Sequence, residues 1–512
     1  ADFANKGSYE ERNTQNLNYD GDFSLTYGKL FNEKHMVNVV GGMRLSQNGS
    51  NNSAYKVQGF IDDEFSNPAF ALGYQKDGNA TYQDSKKRAV SYYLNFGYAY
   101  DDRYLLDVNY RSDGSSVFGS DRQFTNTWSV GLGWNIHKEA FFSDIEGISL
   151  LKLRASIGNP GNQNFDDYIS TRIYTYNTDN MNIFGSSAIV SNLGNRNLEW
   201  QKTLDRNIGF DIIFLDNRLR VNFDYFNKRT DPLLVQIGTA SSTGVKTLPR
   251  NVGKQITEGI TLTMNYSIIR REDMFWSVNM NLRHQTSEYK EVSEVLTKYN
   301  LDNRNRNLTR YYDGGSPSDL WAVRSCGIDP ATGREIFLDK NGEQTFVHNY
   351  DDEVVVGNSD PKVEGVIGTS FYYKGFSASI NLRYRLGGQI FMQTLYDKVE
   401  NLSSSKKWEN LDKRALYDRW KQPGDQAKFK SIASSEVTPI SSRFVEDNNV
   451  LSGEAISLGY ESTAPWLKHI GASSMSVRAY MNDIFRISTV KNERGLSYPF
   501  ARSVSFSLGV TF

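Results

Sequence analysis

The chain is poor in most of what would mark a soluble multidomain protein. One cysteine, Cys326, occurs in 512 residues, so no intrachain disulfide forms and cysteine says little about compartment. Eleven prolines and no Pro/Ser-rich stretch leave no linkers, although a soluble chain of this length would split into about three or four domains. No run approaches the ~20 apolar residues of a membrane helix, which excludes helical membrane proteins. It does not exclude strand-built ones, whose alternating residues cancel in any window average. Lys plus Arg (58) balances Asp plus Glu (59), so no bulk field argues for nucleic acid. The opening segment, Ala1 to Gly7, is polar and shows no secretory leader.

Aromatic residues are plentiful: 30 Tyr and 29 Phe, within an aromatic share of 13%, suit interfacial girdles or a carbohydrate-binding β-protein. Period-two alternation is explicit in Ser503–Phe512, where Val504, Phe506, Leu508, Val510 and Phe512 fall on one face. Ten residues at ~3.3 Å rise and ~40° tilt reach about 25 Å, the height of an outer-membrane apolar band. Similar segments come in pairs with tight turns: 16–30 with 35–48, 88–100 with 104–113, 198–215 with 218–228, 251–269 with 274–289, and 363–373 with 376–391. Looser pairs are 125–136 with 150–157 and 450–462 with 474–490. Long polar connections near 49–87, 158–197, 290–362 and 392–449 separate them. Short turns on one side and long loops on the other predict an all-β, antiparallel transmembrane barrel. A sandwich or propeller has no reason to sort its connections this way, and no fixed-length repeat is visible. The reading gives fifteen strands, an odd number, whereas single-chain bacterial barrels close with an even one. The expectation is an incomplete barrel whose first strand runs downward from an extracellular loop.

Motif order then carries a resemblance. Asp102-Arg-Tyr-Leu-Leu106, Arg111-Ser-Asp-Gly-Ser-Ser-Val-Phe-Gly119, Trp128–Trp134, Leu153–Gln163, Asn197–Trp200, Asp224–Lys228, Val252-Gly253 with Glu258–Ile260, Gly327-Ile-Asp-Pro-Ala-Thr-Gly333, Gly357–Lys362, Ser442–Asp447, Asn482–Phe485, Tyr498-Pro499 and Leu508–Phe512 run along nearly the whole chain. This series resembles the SusC/RagA family of TonB-dependent outer-membrane transporters of Bacteroidetes. Glu454-Ala-Ile456 departs from the family's usual approach to its strand, and Ser116–Phe118 is an uncommon form. The resemblance implies a 22-stranded barrel with an N-terminal plug, of which this chain would supply the last fifteen strands. The plug and first strands would then lie on a separate chain or cleaved fragment. It further implies import of oligosaccharides or oligopeptides, a SusD-like lipoprotein lid, energy from the TonB complex, and a dimer of such pairs. Residence is expected in the lipid bilayer of the outer membrane. A passive porin-like channel and a soluble glycan-binding β-protein are the rival readings.

Chemistry-bearing motifs are sparse. Asp339-Lys-Asn-Gly-Glu343 fails the calcium-loop pattern, because Glu343 is fifth, Gln344 sixth and Tyr350 twelfth; Asn341-Gly342 reads as a hairpin turn. Five histidines (His35, His137, His284, His348, His469) lack zinc-ligand spacing, so no metal is expected. Adjacent carboxylates such as Asp62-Asp63 do not flank a sugar by spacing alone. No nucleophile elbow, P-loop or dinucleotide fingerprint appears, and neither enzymatic activity nor a cofactor is expected. Lys406–Trp420 reads as an amphipathic surface helix ended by Pro423-Gly424, facing either the lid or its own loop. Candidate substrate contacts are the loop aromatics Tyr311, Tyr312, Trp321, Tyr396 and Trp408 and the wall residues Arg383 and Arg385. Local packing competes as the role of the aromatics, and a polar interior as that of the arginines.

Overall fold

The computed structural model describes residues 7–512 except 61, 63, 65–66, 76–77, 117–122, 143–144, 163–170, 184, 196, 200, 240, 246, 293, 403–410 and 492–500. Trp408, Lys406–Asn410, the motif residues Val117–Gly119, Gln163, Trp200 and Tyr498-Pro499 therefore lie outside the described residues. Among the described residues a strand occupies each of the fifteen predicted places: β1 Ser8–Phe31, β2 His35–Phe60, β3 Thr81–Tyr100, β4 Tyr104–Ser115, β5 Phe124–Asn135, β6 Ile148–Asn159, β7 Gln201–Phe214, β8 Leu219–Thr230, β9 Lys254–Arg270, β10 Met274–Lys290, β11 Val363–Tyr373, β12 Phe376–Leu386, β13 Val450–Ser462, β14 Ser474–Ser488 and β15 Val504–Thr511. Two compact units are distinguished, residues 1–131, 157–204 and 232–251, and residues 132–156, 205–231 and 252–512.

In the first unit β1, β2, β3 and β4 form an antiparallel ladder in sequence order. Leu17, Tyr19, Phe23, Leu25 and Tyr27 are all more than 50% exposed. Register sets Met43 beside Phe23 and Tyr92 beside Met43 on that same face. An apolar face left open along a whole ladder is what a lipid-facing wall presents. The opposite face carries Asp20, Asp22, Arg44, Ser91, Tyr93, Arg111 and Asp113. At the turn end Phe31, His35, Tyr100 and Tyr104 stand in one cross-strand row, an aromatic belt of the kind found at membrane interfaces. His35 Nδ1 lies 2.8 Å from the Tyr98 hydroxyl, and its ring is 5.0 Å from that of Tyr100.

The second unit repeats the pattern from β8 through β15, each strand paired antiparallel with the next. Ile260, Leu262 and Met264 of β9 register with Tyr225, Phe223 and Val221 and with His284, Leu282 and Met280. Thr261, Thr263 and Asn265 register with Asp224, Asn222 and Arg220 and with Arg283, Asn281 and Asn279. Turn chemistry explains the tight ends. Lys374-Gly375 joins β11 to β12 as a two-residue loop with φ of 44° and 91°, the left-handed pair that matches strand twist. Asp101 and Asp102 (both 51°) and Asn32 and Glu33 (47° and 56°) supply the same conformation in three-residue loops.

Several expected boundaries move. The connection expected at 49–87 is mostly strand: pairing continues from Asn48↔Lys87 to Ala54↔Thr81, and β2 then pairs with the short strand Ala71–Tyr74. β1 likewise starts at Ser8, not near residue 16. Apolar alternation stops near residue 48 because the ribbon beyond it needs no lipid-facing side chains, while its backbone hydrogen bonds continue. β12 stops at Leu386 instead of 391, because Gly387 takes φ +84° and Gln389–Phe391 turns away to pair with Val445–Asp447. The predicted helix over 406–420 is not formed in its described part, where a single 3-10 turn, Lys413–Leu416, is followed by the bridge Arg419↔Phe429. Trp420 docks on a neighbouring loop, so its apolar ring does not serve a helix face.

Candidate functional site

The polar face is wired by charge. In the first unit Arg44 donates to Asp20 (3.0 Å from Nε), Tyr93 to Asp22 (2.9 Å), and Arg111 to both Asp113 (2.7 Å) and Ser91 (2.9 Å). Asp113, the carboxylate of the Arg-Ser-Asp-Gly motif, is almost fully buried by these partners. In the second unit Arg154 makes a bidentate pair with Asp211 (2.8 Å for both bonds) and reaches Asp224 at 2.9 Å, while Asn222 donates to Asp211. Bidentate pairing fixes the guanidinium plane as well as its charge. Arg383 pairs with Glu454 at 3.2 Å and Arg385 with Glu364 at 3.4 Å, both partly exposed. Glu454 is one of the residues by which the chain departs from the family motif, and here it faces an arginine.

Above the second unit's strands, the connections 290–362 and 392–449 fold into one body. The first contains the helix Glu294–Asn303 and a four-stranded sheet in which the strand Asp319–Ile328 pairs with Glu335–Leu338 and Glu353–Asn358. Asp339–Gly342 closes the small hairpin to Gln344–Thr345, with Gly342 at φ +82°. The motif Gly327–Gly333 forms a turn in which Asp329 accepts hydrogen bonds from Thr332 Oγ1 (2.6 Å) and from the Thr332 and Ala331 backbones (3.1 and 3.2 Å). Those bonds, the Thr332 hydroxyl first, hold its carboxyl below the usual range. Gly333, at φ +72°, has no side chain to collide with Trp420, whose ring would lie 2.5 Å from a Cβ there. Trp420 Nε1 donates to the Pro330 carbonyl at 2.9 Å.

A buried charge cluster closes the joint between these connections. Arg443 donates to Glu335 (2.9 Å) and Glu400 (2.6 Å), and Glu400 also accepts from Thr438 Oγ1 at 2.9 Å. Glu335 accepts from Ser441 Oγ (2.6 Å), and the Ser325 backbone donates to Ser442 Oγ (2.9 Å). Arg419 reaches the Val399 carbonyl, and burial pushes its guanidinium pKa down. Nearby, Val399, Phe429 and Phe444 make the apolar centre. Arg310 and Glu353, both nearly inaccessible, form a second bidentate pair at 2.9 and 2.7 Å.

The expected substrate contacts do not form one cluster. Tyr312 and Trp321 are neighbours, rings 4.7 Å apart, with Tyr312 partly exposed and Trp321 Nε1 buried without a hydrogen-bond partner among the described residues. Tyr311 packs instead between Tyr289 and Tyr299 (5.0 and 5.3 Å), and burial raises its hydroxyl pKa. Tyr396 donates to the Thr438 carbonyl (2.8 Å) and stacks edge-on to Phe444. Arg383 and Arg385 lie two residues apart on the polar face of β12. Among the described residues no group of three or more His, Cys, Asp or Glu is placed to hold a metal ion. Sequence reading missed the Arg154–Asp224 pair and the Arg443 cluster. For the first, Arg154 stands on β6 and Asp224 on β8, with β7 and its Asp211 between them, so no pairing of neighbouring strands announced it; the second joins residues far apart in sequence and had no local signal.

A ladder of long antiparallel strands, apolar on one face and charged on the other, with tight turns at one end and folded loop bodies at the other, defines a membrane β-barrel. The family model described as "TonB dependent receptor-like, beta-barrel" matches residues 1–402, and the chain belongs to that family. It is 26% identical over 528 residues to TonB-dependent receptor P39 of Formosa agariphila, covering 94% of this chain and 50% of that protein. It is 25% identical over 458 residues to TonB-dependent receptor SusC of Bacteroides thetaiotaomicron, covering 83% and 44%. A solved structure of the RagAB peptide transporter superposes with a TM-score of 0.84 at 18% identity, over 95% of this chain and 53% of that one, a likeness of fold. The SusC/RagA resemblance read from the motifs and the all-β barrel class are thereby established. The chain spans about half the length of the curated relatives it matches.

Proposed function

We propose that this chain forms barrel wall and surface loops of a SusC-like, TonB-dependent importer of the outer membrane, acting together with the remaining half of the relatives' length. The carrying observation is the two-faced ladder: an open apolar face for lipid, and a polar face on which arginines and carboxylates are held in fixed pairs. A lumen lined this way offers hydrogen bonds to a polar oligomer without binding any one unit tightly, which suits passage of oligopeptides or oligosaccharides. The joined body of 290–362 and 392–449 is a preformed surface for a SusD-like lipoprotein lid. Among the described residues Tyr312 with Trp321 is the aromatic pair of that body with an exposed ring, and it is the contact we assign to substrate or lid. Arg383 and Arg385 are assigned to the path below it.

Uptake of defined oligopeptide and glycan pools by cells carrying the whole receptor tests this reading. Import that requires TonB and the proton gradient, and that falls in a Tyr312→Ala/Trp321→Ala double variant, is the expected result. Uptake indifferent to TonB would replace it with a passive channel.

A further inference from the structure

Strand register places a shallow groove of about 380 Å³ on the lipid-facing side of the first unit, at the loop end of the apolar band. Its lower walls are Leu45, Val90 and Phe124, and its upper rim is Tyr19, Gln47 and Arg88. The Phe124 ring lies over Gly114, where a Cβ would come within 2.6 Å of it, so the missing side chain at this motif glycine admits the ring. Height follows from the strand itself. Gln47 stands twelve residues along β2 from His35 in the turn-end aromatic belt, about 40 Å of strand and ~30 Å of vertical rise at ~40° tilt. The rim is therefore at headgroup level.

The rim is organised around one cation. Gln47, only 8% exposed, accepts from both Arg88 Nε (2.8 Å) and the Tyr19 hydroxyl (3.0 Å), which fixes the guanidinium over the groove. The Arg88 backbone is itself pinned to Ser116, donating to its hydroxyl at 3.0 Å and accepting from its N–H at 3.0 Å. Among the described residues no acid pairs with Arg88, and its two terminal nitrogens make no hydrogen bond. An oriented fork of donors above an apolar trough matches a phosphate joined to acyl chains.

We propose that this groove seats one phosphorylated glycolipid of the outer leaflet, its phosphate on Arg88 and an acyl chain along Leu45, Val90 and Phe124. The proposal rests on the outer-membrane reading above, which supplies both the orientation and the leaflet. The test uses the whole receptor purified in detergent, stripped of lipid, and offered monophosphoryl lipid A, its dephosphorylated form, or phosphatidylglycerol, with retention read by native mass spectrometry. One tightly retained lipid A per receptor is expected, with about tenfold weaker retention in Arg88→Gln, a change of ~1.4 kcal/mol. Val90→Trp, which fills the trough and leaves Arg88 in place, is expected to weaken retention as well. Equal retention by Arg88→Gln, or of the dephosphorylated lipid, overturns the phosphate seat; equal retention of phosphatidylglycerol overturns the choice of glycolipid; no retention by the wild type overturns the site. Heat-modifiable migration of each sample separates these outcomes from failure of the barrel reading, since a receptor that does not show it is not an assembled barrel.

Discussion

At the scale of single residues, the loop body depends on charges that have left water. Glu400 is almost fully buried and is satisfied by Arg443, Thr438 and the Lys430 backbone. Glu400→Ala leaves Arg443 with Glu335 alone and removes the acid nearest Arg419 and Lys430, and breaking a buried pair costs up to about 3–5 kcal/mol. Limited proteolysis of the assembled receptor is expected to cut within 392–449 in this variant while the barrel stays intact. His348 gives the same body a pH dependence. Its ring sits against Phe337 and Tyr350 (5.1 and 4.6 Å), and burial lowers its pKa from 6.5, outweighing a hydrogen bond with the Ile440 backbone and nearby Glu335, Glu353 and Asp352, which raise it. The unfolded loop therefore binds the proton more readily, so stability is complete above pH 6.5 and declines as pH falls below it toward the lowered value. Loop proteolysis is expected to be faster at pH 5.5 than at 7.5, and His348→Phe should remove the His348 contribution to that difference.

At the scale of elements, turns and strand ends show what a sequence makes legible. The fifteen strands of the ladders were visible because lipid imposes strict alternation on one face, and the tight turns were visible through Asp, Asn and Gly. Where lipid stops, so does the signal: the upper parts of β1 and β2 are Asn- and Ser-rich and read as loop, though their backbones remain paired. Lys406–Trp420 misled in the opposite way. Leu411, Leu416 and Trp420 have helical spacing, yet Trp420 is committed to the Pro330–Gly333 turn, a contact between distant segments that no local pattern announces. Of the candidate contacts, the facing carboxylates of Arg383 and Arg385 needed the sheet registers to be seen, and the adjacency of Tyr312 and Trp321 needed the fold of the connection that brings them together. The β11–β12 turn offers a direct check. Gly375 has φ +91° and an added Cβ would lie 2.3 Å from the Glu461 carbonyl, so Gly375→Val is expected to cost at least ~1–3 kcal/mol and to lower the heat-modifiable, assembled fraction. Lys374→Asn keeps the left-handed preference and should assemble at least as well.

For the whole molecule, the sorting of connections predicts sidedness. An epitope inserted at Gly342, in the loop body, is expected to bind antibody on intact cells. The same epitope between Lys374 and Gly375 should bind only after the outer membrane is permeabilised. Reversed accessibility would invert the assigned orientation and remove the outer-leaflet argument for the Arg88 groove.

The upward continuation of β1 and β2 has a mechanical consequence. From Ser8 to Asn18 and from Asn48 to Gln58 the two strands stay in register, a ribbon of eleven residue pairs that stands above the headgroup plane in the orientation proposed above. At ~3.3 Å per residue that is about 35 Å of cross-linked backbone, stiff along its length because bending it must break hydrogen bonds. In that orientation such a ribbon would act as a mast, setting a minimum stand-off between the bilayer and anything approaching that side of the receptor. Large surface polymers would be held clear there, while short oligomers could still reach the mouth beside it.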